Sequence, residues 1–358
     1  MRVMTAMSGG IDSTTAAAKL CEEGHEVVGL HMRIWRDGAE ADETCSTDAL
    51  LKDARETAER YGFEIHEIDL AADFKQNVVD YFIEEYLNGR TPNPCVHCNR
   101  TVKFGLLMEQ MERLGCEKMA TGHYTRVGRY EPTDRWSIQR MEDYEKDQTY
   151  FLSCLTQRQL SNFTTPLAGM RKEDVRDYAR RLGLSCADKP ESNEICFLPG
   201  NDYRAFMAGI GKHAGERALK PGEIVDRAGN VLGRHDGLAN FTVGQRRGLG
   251  IAHEQPLYVL KLDMAKNQVI VGKREETLCS VVWAADMNWM GVERPVHPIN
   301  VAAQIRYRAR PTPGVLHPRE DGKVELVFDQ PVTSPAPGQA LAFYDPSAEW
   351  LLGGGWII

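Results

Sequence analysis

Two cysteines stand three residues apart behind two prolines in TPNPCVHCN, residues 91–99. The spacing of Cys95 and Cys98 suits half of a zinc site, a redox disulfide, a pair of iron–sulfur ligands, or a reactive thiol beside a bystander. A third cysteine, Cys196, lies among prolines and polar residues in ESNEICFLPG, residues 191–200. The spacing alone does not distinguish between these chemistries, so other features of the chain are needed to decide.

The chain has nine cysteines, and most of the others predict no chemistry. Cys45 precedes a predicted helix, whose start can lower the pKa of a thiol, and it is a further candidate for reactivity. Four cysteines in apolar or helical stretches are expected to be buried packing residues: Cys21, Cys116, Cys154 and Cys186.

A glycine-rich turn follows the first predicted strand, in AMSGGIDSTTAAAKL, residues 6–20. Gly9 and Gly10 let the backbone approach a ligand closely, and the start of the following helix offers N–H groups to an anion. The flanking serines add hydroxyl donors, and Asp12 can hold a Mg²⁺ that bridges phosphates. The turn matches neither a Walker A loop nor G-x-G-x-x-G, so we expect a phosphate loop of another type.

Composition predicts a multidomain globular protein. A chain of 358 residues favours two or three domains, and its net charge of −8 argues mildly against nucleic-acid binding. Basic residues do cluster locally, at 171–181, 245–248 and 306–310, where a solvated face is the simpler interpretation. There is no apolar run of membrane-spanning length and no signal peptide, so we expect a cytoplasmic protein without a membrane partner.

Strand and helix signals alternate over the first third of the chain, which predicts a parallel sheet covered by helices. We expect strands at 2–7, 26–35, 64–70 and within 117–124, and helices at 13–23, 46–61, 74–87 and 103–115. After residue 205 short alternating runs dominate, with a hairpin at 257–273 and strands at 301–307, 323–329 and 339–344. These predict a catalytic α/β domain over 1–205, a small mostly-β central domain over 206–277, and a β-barrel over 278–358.

Several ordered motifs together resemble one family nearly from end to end. SGGIDS resembles the pyrophosphatase loop of the ATP-dependent adenylating enzymes, called the PP-loop, which has a Rossmann-like fold. With that loop, the following segments closely resemble the MnmA family of tRNA-specific 2-thiouridylases: LHMRIW (30–35), GRTPNPCVHCNRTVKFG (89–105), TGHYTR (121–126), KDQTYFLS (146–153), ESNEICFLPG, FTVGQRRGLGI (241–251) and RYRA (306–309).

The resemblance implies an enzyme that uses ATP and Mg²⁺ to replace the 2-oxygen of the wobble uridine (position 34) with sulfur in lysine, glutamate and glutamine tRNAs. The central domain would contribute to tRNA binding. Adenylation makes the uracil oxygen a good leaving group, and a cysteine persulfide can then attack the activated carbon. The sulfur would come from a persulfide donor such as a cysteine desulfurase or a sulfur-relay protein. Two reactive thiols in separate loops suit this chemistry, because a second thiol must discharge the persulfide.

The resemblance also implies roles for individual residues. Cys98 matches the persulfide-bearing nucleophile, and Cys196 matches the second catalytic cysteine, which forms a transient disulfide with it. Asp12 joins them as a catalytic residue. The nucleotide would lie against Ala6, Met7, Ser8, Gly9, Gly10, Ile11, Asp12, Ser13, Met32 and Gly122. The target base would lie beside Asn93, Pro94 and Cys95, and the tRNA against His123, Lys146, Asp147, Gln148, Arg306, Tyr307 and Gln339.

Residue 95 leaves two sulfur mechanisms open. Some relatives carry Asp there, and the cysteine puts general-base catalysis at this position in doubt. Cys95, Cys98 and Cys196 together are an alternative ligand set for a [4Fe–4S] cluster with one open iron. Rival functions are another PP-loop enzyme, such as a thiocytidine synthetase or a GMP-synthetase-like ligase, and a metal-binding tRNA adaptor without catalysis.

Overall fold

The computed structural model describes residues 1–35, 47–141, 146–189, 195–198, 200, 202–209 and 217–358. The helices are α1 (Ile11–Glu22), α2 (Thr47–Tyr61), α3 (Ala71–Phe74), α4 (Tyr81–Leu87), α5 (Pro94–Cys98), α6 (Leu107–Arg113), α7 (Gln157–Ser161), α8 (Lys172–Arg181) and α9 (Tyr203–Gly209). Two π-helical segments, Lys75–Asp80 and Asn99–Leu106, join α3 to α4 and α5 to α6. None of these described helices has the length and apolar character needed to span a membrane.

Seventeen strands lie in the described part of the chain. They are β1 (Arg2–Ala6), β2 (Glu26–Arg33), β3 (Glu64–Asp69), β4 (Lys118–Ala120), β5 (Arg126–Tyr130), β6 (Arg135–Gln139), β7 (Phe163–Thr164), β8 (Gly222–Val225), β9 (Val231–His235), β10 (Tyr258–Asp263), β11 (Gln268–Gly272), β12 (Leu278–Trp289), β13 (Ile299–Gln304), β14 (Thr312–Pro318), β15 (Val324–Thr333), β16 (Ala340–Tyr344) and β17 (Trp350–Ile357).

The N-terminal sheet is parallel throughout, with strand order β3-β2-β1-β4-β7. Its central strand β1 is buried along Val3, Met4 and Thr5, as expected of a strand covered by helices on both faces. The alanines of α1 at positions 16–18 are fully buried, and their small side chains let the helix approach the sheet closely. The predicted α/β domain is confirmed.

The C-terminal strands close into a barrel. Six antiparallel strands follow the order β12-β15-β14-β13-β16-β17, and pairing of β12 with β17 completes the ring. The β5–β6 hairpin joins this sheet from outside, because Leu351 of β17 pairs with Ile138 of β6. A smaller sheet, β10-β11-β8-β9, lies between the two larger ones in sequence and contains the predicted hairpin. The β character of both C-terminal parts is therefore confirmed.

Two sequence-based expectations are wrong. The helix placed at 103–115 begins nine residues earlier, at Pro94, so Cys95 and Cys98 lie on a helix and not in a loop. The strand placed at 301–307 ends at Gln304, so the alternating arginines that follow lie on a turn. The Gln304 side chain donates to the carbonyls of Arg306 and Tyr307 and thereby stabilises that turn.

Candidate active site

The phosphate loop lies where the strand order of the parallel sheet reverses. The chain runs from β1 outward through β2 to β3, and then returns to place β4 on the other side of β1. Ligands of open α/β sheets bind at such a switch point, beyond the carboxyl ends of the strands. The turn after β1 and the TGHY segment after β4 face each other there, as the contacts below show.

Hydroxyl groups hold the turn in shape. The Ser13 hydroxyl accepts from the Ser8 backbone N–H at 3.1 Å and donates to the Gly10 carbonyl at 3.2 Å. Gly9 has φ of 76°, a conformation that favours glycine. Gly10 caps α1 without a side chain, which leaves the first helical N–H groups available to an anion.

Gly122 allows the β4 end to touch the phosphate loop. A Cβ atom at Gly122 would lie 2.7 Å from the backbone carbon of Asp12 and 2.8 Å from the backbone nitrogen of Ser13. Any larger residue would therefore push the two loops apart. The other residues that the resemblance places against the nucleotide lie on or beside the same elements. Ala6 ends β1, Met7 and Ile11 are buried on either side of the turn, and Met32 is half-buried near the end of β2.

Asp12 is the most strongly held side chain of the loop. Its Oδ1 accepts from the Tyr124 hydroxyl at 2.6 Å and from the Lys172 ammonium at 2.6 Å. Its Oδ2 makes no hydrogen bond to the part of the chain that the structure describes, and about a third of the side chain (32%) is exposed. A carboxylate oxygen presented beside free helical N–H groups suits a Mg²⁺ ion that also binds phosphate.

Lys172 is a functional candidate that the sequence did not indicate. It lies in the basic cluster 171–181, which was interpreted as a solvated face, yet it is itself buried, and its ammonium also lies 5.4 Å from the centre of the Tyr124 ring. It comes from the start of α8, 160 positions after Asp12. No local pattern connects the two residues, which meet only because α8 packs on α1.

Two local features start α5 (Pro94–Cys98), which carries Cys95 and Cys98 and is called the cysteine helix from here on. The Asn93 side chain accepts from the Val96 backbone N–H at 3.2 Å, and Pro94 occupies the first helical position, where its missing N–H costs nothing. Cys98 ends α5 and is buried, whereas Cys95, one turn earlier, is exposed. Asn93, Pro94 and Cys95 thus stand together at the start of the helix.

Cys196 and Cys98 lie close enough for the charge of one thiol to influence the other. Burial raises the pKa of Cys98 to about 12, and charge on Cys196 or Cys95 raises this pKa further. The Lys103 ammonium and a hydrogen bond with the Lys103 backbone lower the pKa of Cys98.

In a regular α-helix Lys103 would lie about 140° around the axis from Cys98. The π-helical segment, which pairs residues five apart, turns it back toward Cys98.

The three thiols do not fit an iron–sulfur cluster in this arrangement. Among the described residues, which include Cys95, Cys98 and Cys196, no three Cys, His, Asp or Glu side chains converge as metal ligands do.

The other cysteines fall mostly where packing predicts. Three are buried, namely Cys116, Cys154 and Cys186, whereas Cys21 is only half-buried. Cys45 lies outside the described residues.

His123 lies between the phosphate loop and the cysteine helix. Its Nδ1 pairs with the Thr121 hydroxyl at 2.6 Å, and its ring lies 6.2 Å from that of Phe104. Burial lowers the pKa of His123, and the nearby Lys103 ammonium lowers this pKa further. The segment after β4 therefore touches the phosphate loop at Gly122 and approaches the helical segment after Cys98 at the Phe104 ring, and the Lys103 ammonium influences both Cys98 and His123.

The two motifs expected to contact tRNA meet at one buried network. Asp147 forms an ion pair with Arg140 at 2.9 Å, and both side chains are less than a tenth exposed. Thr149 bridges Asp147 to the Tyr344 hydroxyl, which donates to Gln304, the residue that holds the 306–307 turn. The carboxylate of Asp147 is thus engaged inside the protein.

The remaining residues of these motifs are divided between the surface and internal contacts. Lys146 is half-buried, and Arg306, Arg308 and Arg310 are all exposed. The Tyr307 ring packs 4.3 Å from Phe151. Gln148 accepts from the Tyr124 backbone N–H at 2.9 Å. The Gln339 side chain, by contrast, reaches the backbone that precedes the cysteine helix.

Comparison with known proteins gives three consecutive family matches. Residues 1–200 match a tRNA methyl transferase HUP domain, residues 210–273 a tRNA methyl transferase PRC-barrel domain, and residues 280–357 an aminomethyltransferase β-barrel domain. A Geobacter metallireducens protein named tRNA-specific 2-thiouridylase MnmA is 45% identical, over 99% of this chain and 96% of its own length. The chain belongs to the MnmA family.

Other MnmA proteins are similarly close. One from Carboxydothermus hydrogenoformans is 44% identical over 99% of this chain and 97% of its own length. Among solved structures, the U34-tRNA thiolase NcsA from Methanococcus maripaludis with its [4Fe–4S] cluster covers 60% of this chain and 65% of its own, at 18% identity and a TM-score of 0.36.

Proposed function

We propose that this MnmA protein is an ATP-dependent tRNA sulfurtransferase that thiolates the 2-position of the wobble uridine in lysine, glutamate and glutamine tRNAs. The observation that carries the proposal is the contact of one segment with both parts: Gly122 packs on the phosphate loop, and the neighbouring His123 ring lies 6.2 Å from Phe104, in the helical segment that follows the buried Cys98. The phosphate-loop half of this site suits adenylation, and the cysteine half suits sulfur transfer.

The adenylation half would bind ATP through the α1 N–H groups and the hydroxyls of Ser8 and Ser13. Asp12 would hold Mg²⁺ through its Oδ2, and Lys172 keeps a positive charge beside the same carboxylate. The uracil 2-oxygen attacks the α-phosphorus, the bond to the bridging oxygen breaks, and pyrophosphate leaves. The oxygen is then part of an AMP leaving group.

The sulfur half would use Cys98 as a persulfide. Its terminal sulfur attacks C2 of the uracil, and AMP departs with the original oxygen. The Cys196 thiolate then attacks the Cys98 sulfur, so that a Cys98–Cys196 disulfide forms and the second sulfur stays on C2. A reductant restores the thiols, and a persulfide donor protein reloads Cys98. Asn93, Pro94 and the exposed Cys95 line the start of the same helix and would face the base.

The experiment measures thiouridine in tRNA. Unmodified lysine tRNA is incubated with the protein, ATP, Mg²⁺ and a small-molecule persulfide, and the nucleosides are identified by mass. The proposal expects a uridine heavier by the difference between sulfur and oxygen, only at the wobble position and only with ATP. Thiolated cytidine, or a methylated base that forms without ATP, would replace this function by a different one.

A further inference from the structure

The segment before the cysteine helix cannot form hydrogen bonds for all of its backbone polar groups within itself. Thr91, Pro92 and Asn93 are buried, so their polar groups need partners within the protein. Pro92 and Pro94 have no N–H groups, so neither residue can donate a backbone hydrogen bond to its neighbours. The Thr91 and Pro92 carbonyls must find their donors elsewhere in the chain.

The C-terminal barrel supplies those donors. The Gln339 side-chain amide donates to the carbonyls of Thr91 and Pro92, both at 3.1 Å. The Thr91 backbone N–H in turn donates to the Pro337 carbonyl at 2.7 Å. Three hydrogen bonds therefore fix the two residues just before the Asn93 cap.

The barrel side of this contact is itself held by backbone hydrogen bonds. The Gly338 N–H donates to the Ile357 carbonyl, and the Ile357 N–H donates to the Gln339 carbonyl, both at 2.9 Å. Gly338 has φ of 89°, and a Cβ atom there would lie 3.0 Å from the Thr91 carbonyl oxygen. The two backbones approach closely only because this residue is glycine.

Further contacts place α5 against the same barrel. Tyr150 belongs to the turn at 149–152 that packs on α5, and its hydroxyl donates to the Ala340 carbonyl of the barrel at 2.8 Å. His97, next to Cys98, stacks on Tyr81 at 3.9 Å and lies 6.1 Å from the Trp356 ring of β17. The start and one flank of the cysteine helix thus rest on residues from the end of the chain.

We propose that Gln339 is a positioning residue for the nucleophile: its amide fixes the start of α5 and thereby the location of Cys98. The assignment of Cys98 as nucleophile rests on the proposed function, whereas the positioning itself does not. This role differs from the tRNA contact that the resemblance implies for Gln339, because both N–H groups of its amide are used within the protein. A displacement of about 1 Å at a reacting atom can cost about 100-fold in rate, so a loosened α5 should slow sulfur transfer strongly.

The first test compares two variants in protein without tRNA. Gln339→Met removes the donors and keeps the length of the side chain. Gln157→Met is the matched control, because the Gln157 amide also donates to two backbone carbonyls, those of Trp136 and Met290, away from α5. Hydrogen exchange of the Val96 and His97 amides should be at least ten-fold faster in Gln339→Met than in both the wild type and the control.

A second substitution keeps the test decisive if Gln339→Met is unstable. Gln339→Glu has the same shape, but its ionised carboxylate cannot donate to either carbonyl. We expect it to accelerate exchange of the same two amides at least as much as Gln339→Met. Unchanged exchange in whichever variant folds would overturn the proposal, because a residue that acts only on tRNA leaves the free protein unaltered.

The third measurement separates rate from binding. In single turnover at saturating tRNA, Gln339→Met should thiolate at least ten-fold more slowly, with a tRNA Kd within two-fold of wild type. A weakened Kd with an unchanged saturated rate would overturn the proposal in favour of tRNA contact, and fast exchange with an unchanged rate would also overturn it. If the wild type forms no thiouridine, the proposed function fails, and the exchange data alone then decide whether Gln339 fixes α5.

Discussion

The phosphate loop and the cysteine helix are built in different ways. The turn around Ser8 is held by hydroxyls and carbonyls within five residues of each other, so most of its shape comes from one short segment. The start of the cysteine helix is held by Gln339, which lies 248 positions after Thr91. The backbone of the phosphate loop is therefore shaped locally, although distant Tyr124 and Lys172 hold its Asp12 side chain. The start of the cysteine helix, by contrast, is fixed by a residue near the other end of the chain.

This difference indicates what each half can tolerate. A locally closed loop should keep its geometry when the barrel is disturbed, whereas the cysteine helix should not. The two halves meet near Lys103 and His123. A substitution in the phosphate loop should mainly slow adenylation, and a substitution around the cysteine helix should mainly slow sulfur transfer. The substitutions below test that separation, from the largest expected effect to the smallest.

Cys98→Ser should abolish thiouridine formation, because a serine hydroxyl cannot carry the transferred sulfur. Cys196→Ser should form no thiouridine in multiple turnovers. Cys95→Ala, on the same helix, should keep measurable activity in aerobically purified protein. Thiouridine yield per enzyme is the measurement. Normal yields from both serine variants would remove the cysteines from the reaction and favour a ligase.

Asp12→Asn should reduce tRNA-dependent pyrophosphate release by about 10²–10³-fold, because an uncharged amide holds Mg²⁺ and a developing phosphate charge poorly. Binding of tRNA should stay nearly unchanged. Asp177→Asn is a suitable control, because this exposed carboxylate on α8 pairs with the neighbouring Arg180. Wild-type turnover in Asp12→Asn would exclude this carboxylate from the mechanism.

Lys103→Met should slow alkylation of Cys98 by iodoacetamide at a fixed pH near 8. The ammonium lowers the pKa of Cys98, so its loss raises that pKa and reduces the thiolate fraction about ten-fold for each unit. In the wild type the rate should rise about ten-fold per pH unit, since the pKa of about 12 lies above the working range.

The control for that experiment is Lys118→Met, which removes a half-buried lysine that lies over Trp136. Its alkylation rate should match the wild type. Mass spectrometry of the peptide that contains Cys95 and Cys98 identifies which thiol has reacted. An equal or faster rate in Lys103→Met would mean that the ammonium does not act on Cys98.

Arg306→Ala combined with Arg308→Ala should weaken tRNA binding and flatten its salt dependence. Of the substitutions considered, this pair should change the rates of adenylation and sulfur transfer least. Each lost phosphate contact should reduce the slope of log affinity against log salt by about 0.7–0.9. Arg180→Ala with Arg181→Ala removes the same charge from the exposed face of α8 and should leave the slope unchanged. Equal slopes in the first pair and the wild type would mean that the 306–308 turn faces no phosphate.

Sequence reasoning predicted the locally encoded half better than the assembled half. Two of the signals that lie within a few residues are the alternation of strands and helices and the glycine turn. The Asn93-Pro94 cap is equally local, but it was overlooked, and the cysteines were expected in a loop. Lys172 and Lys103 were missed for physical reasons. One meets Asp12 only through the packing of α8 on α1, and the other faces Cys98 only because a π-helical segment changes its direction.

The tRNA motifs show the same limit. Tyr344 and Gln304 join Asp147 to the 306–307 turn through the barrel, and no spacing in the sequence connects these residues. The strand expected through Arg306 failed because a side chain two residues earlier bonds the backbone and turns it.

The most direct test of the central claim is the trapping of adenylated tRNA by Cys98→Ser. The variant is mixed with unmodified lysine tRNA, Mg²⁺ and ATP labelled at the α-phosphate, and label bound to tRNA is counted after rapid quenching. If the two halves act in sequence, about one equivalent of label per active site should accumulate on the tRNA, and none should accumulate with Asp12→Asn. Unlabelled tRNA with Cys98→Ser, under conditions where the wild type forms thiouridine, would contradict adenylation before sulfur transfer.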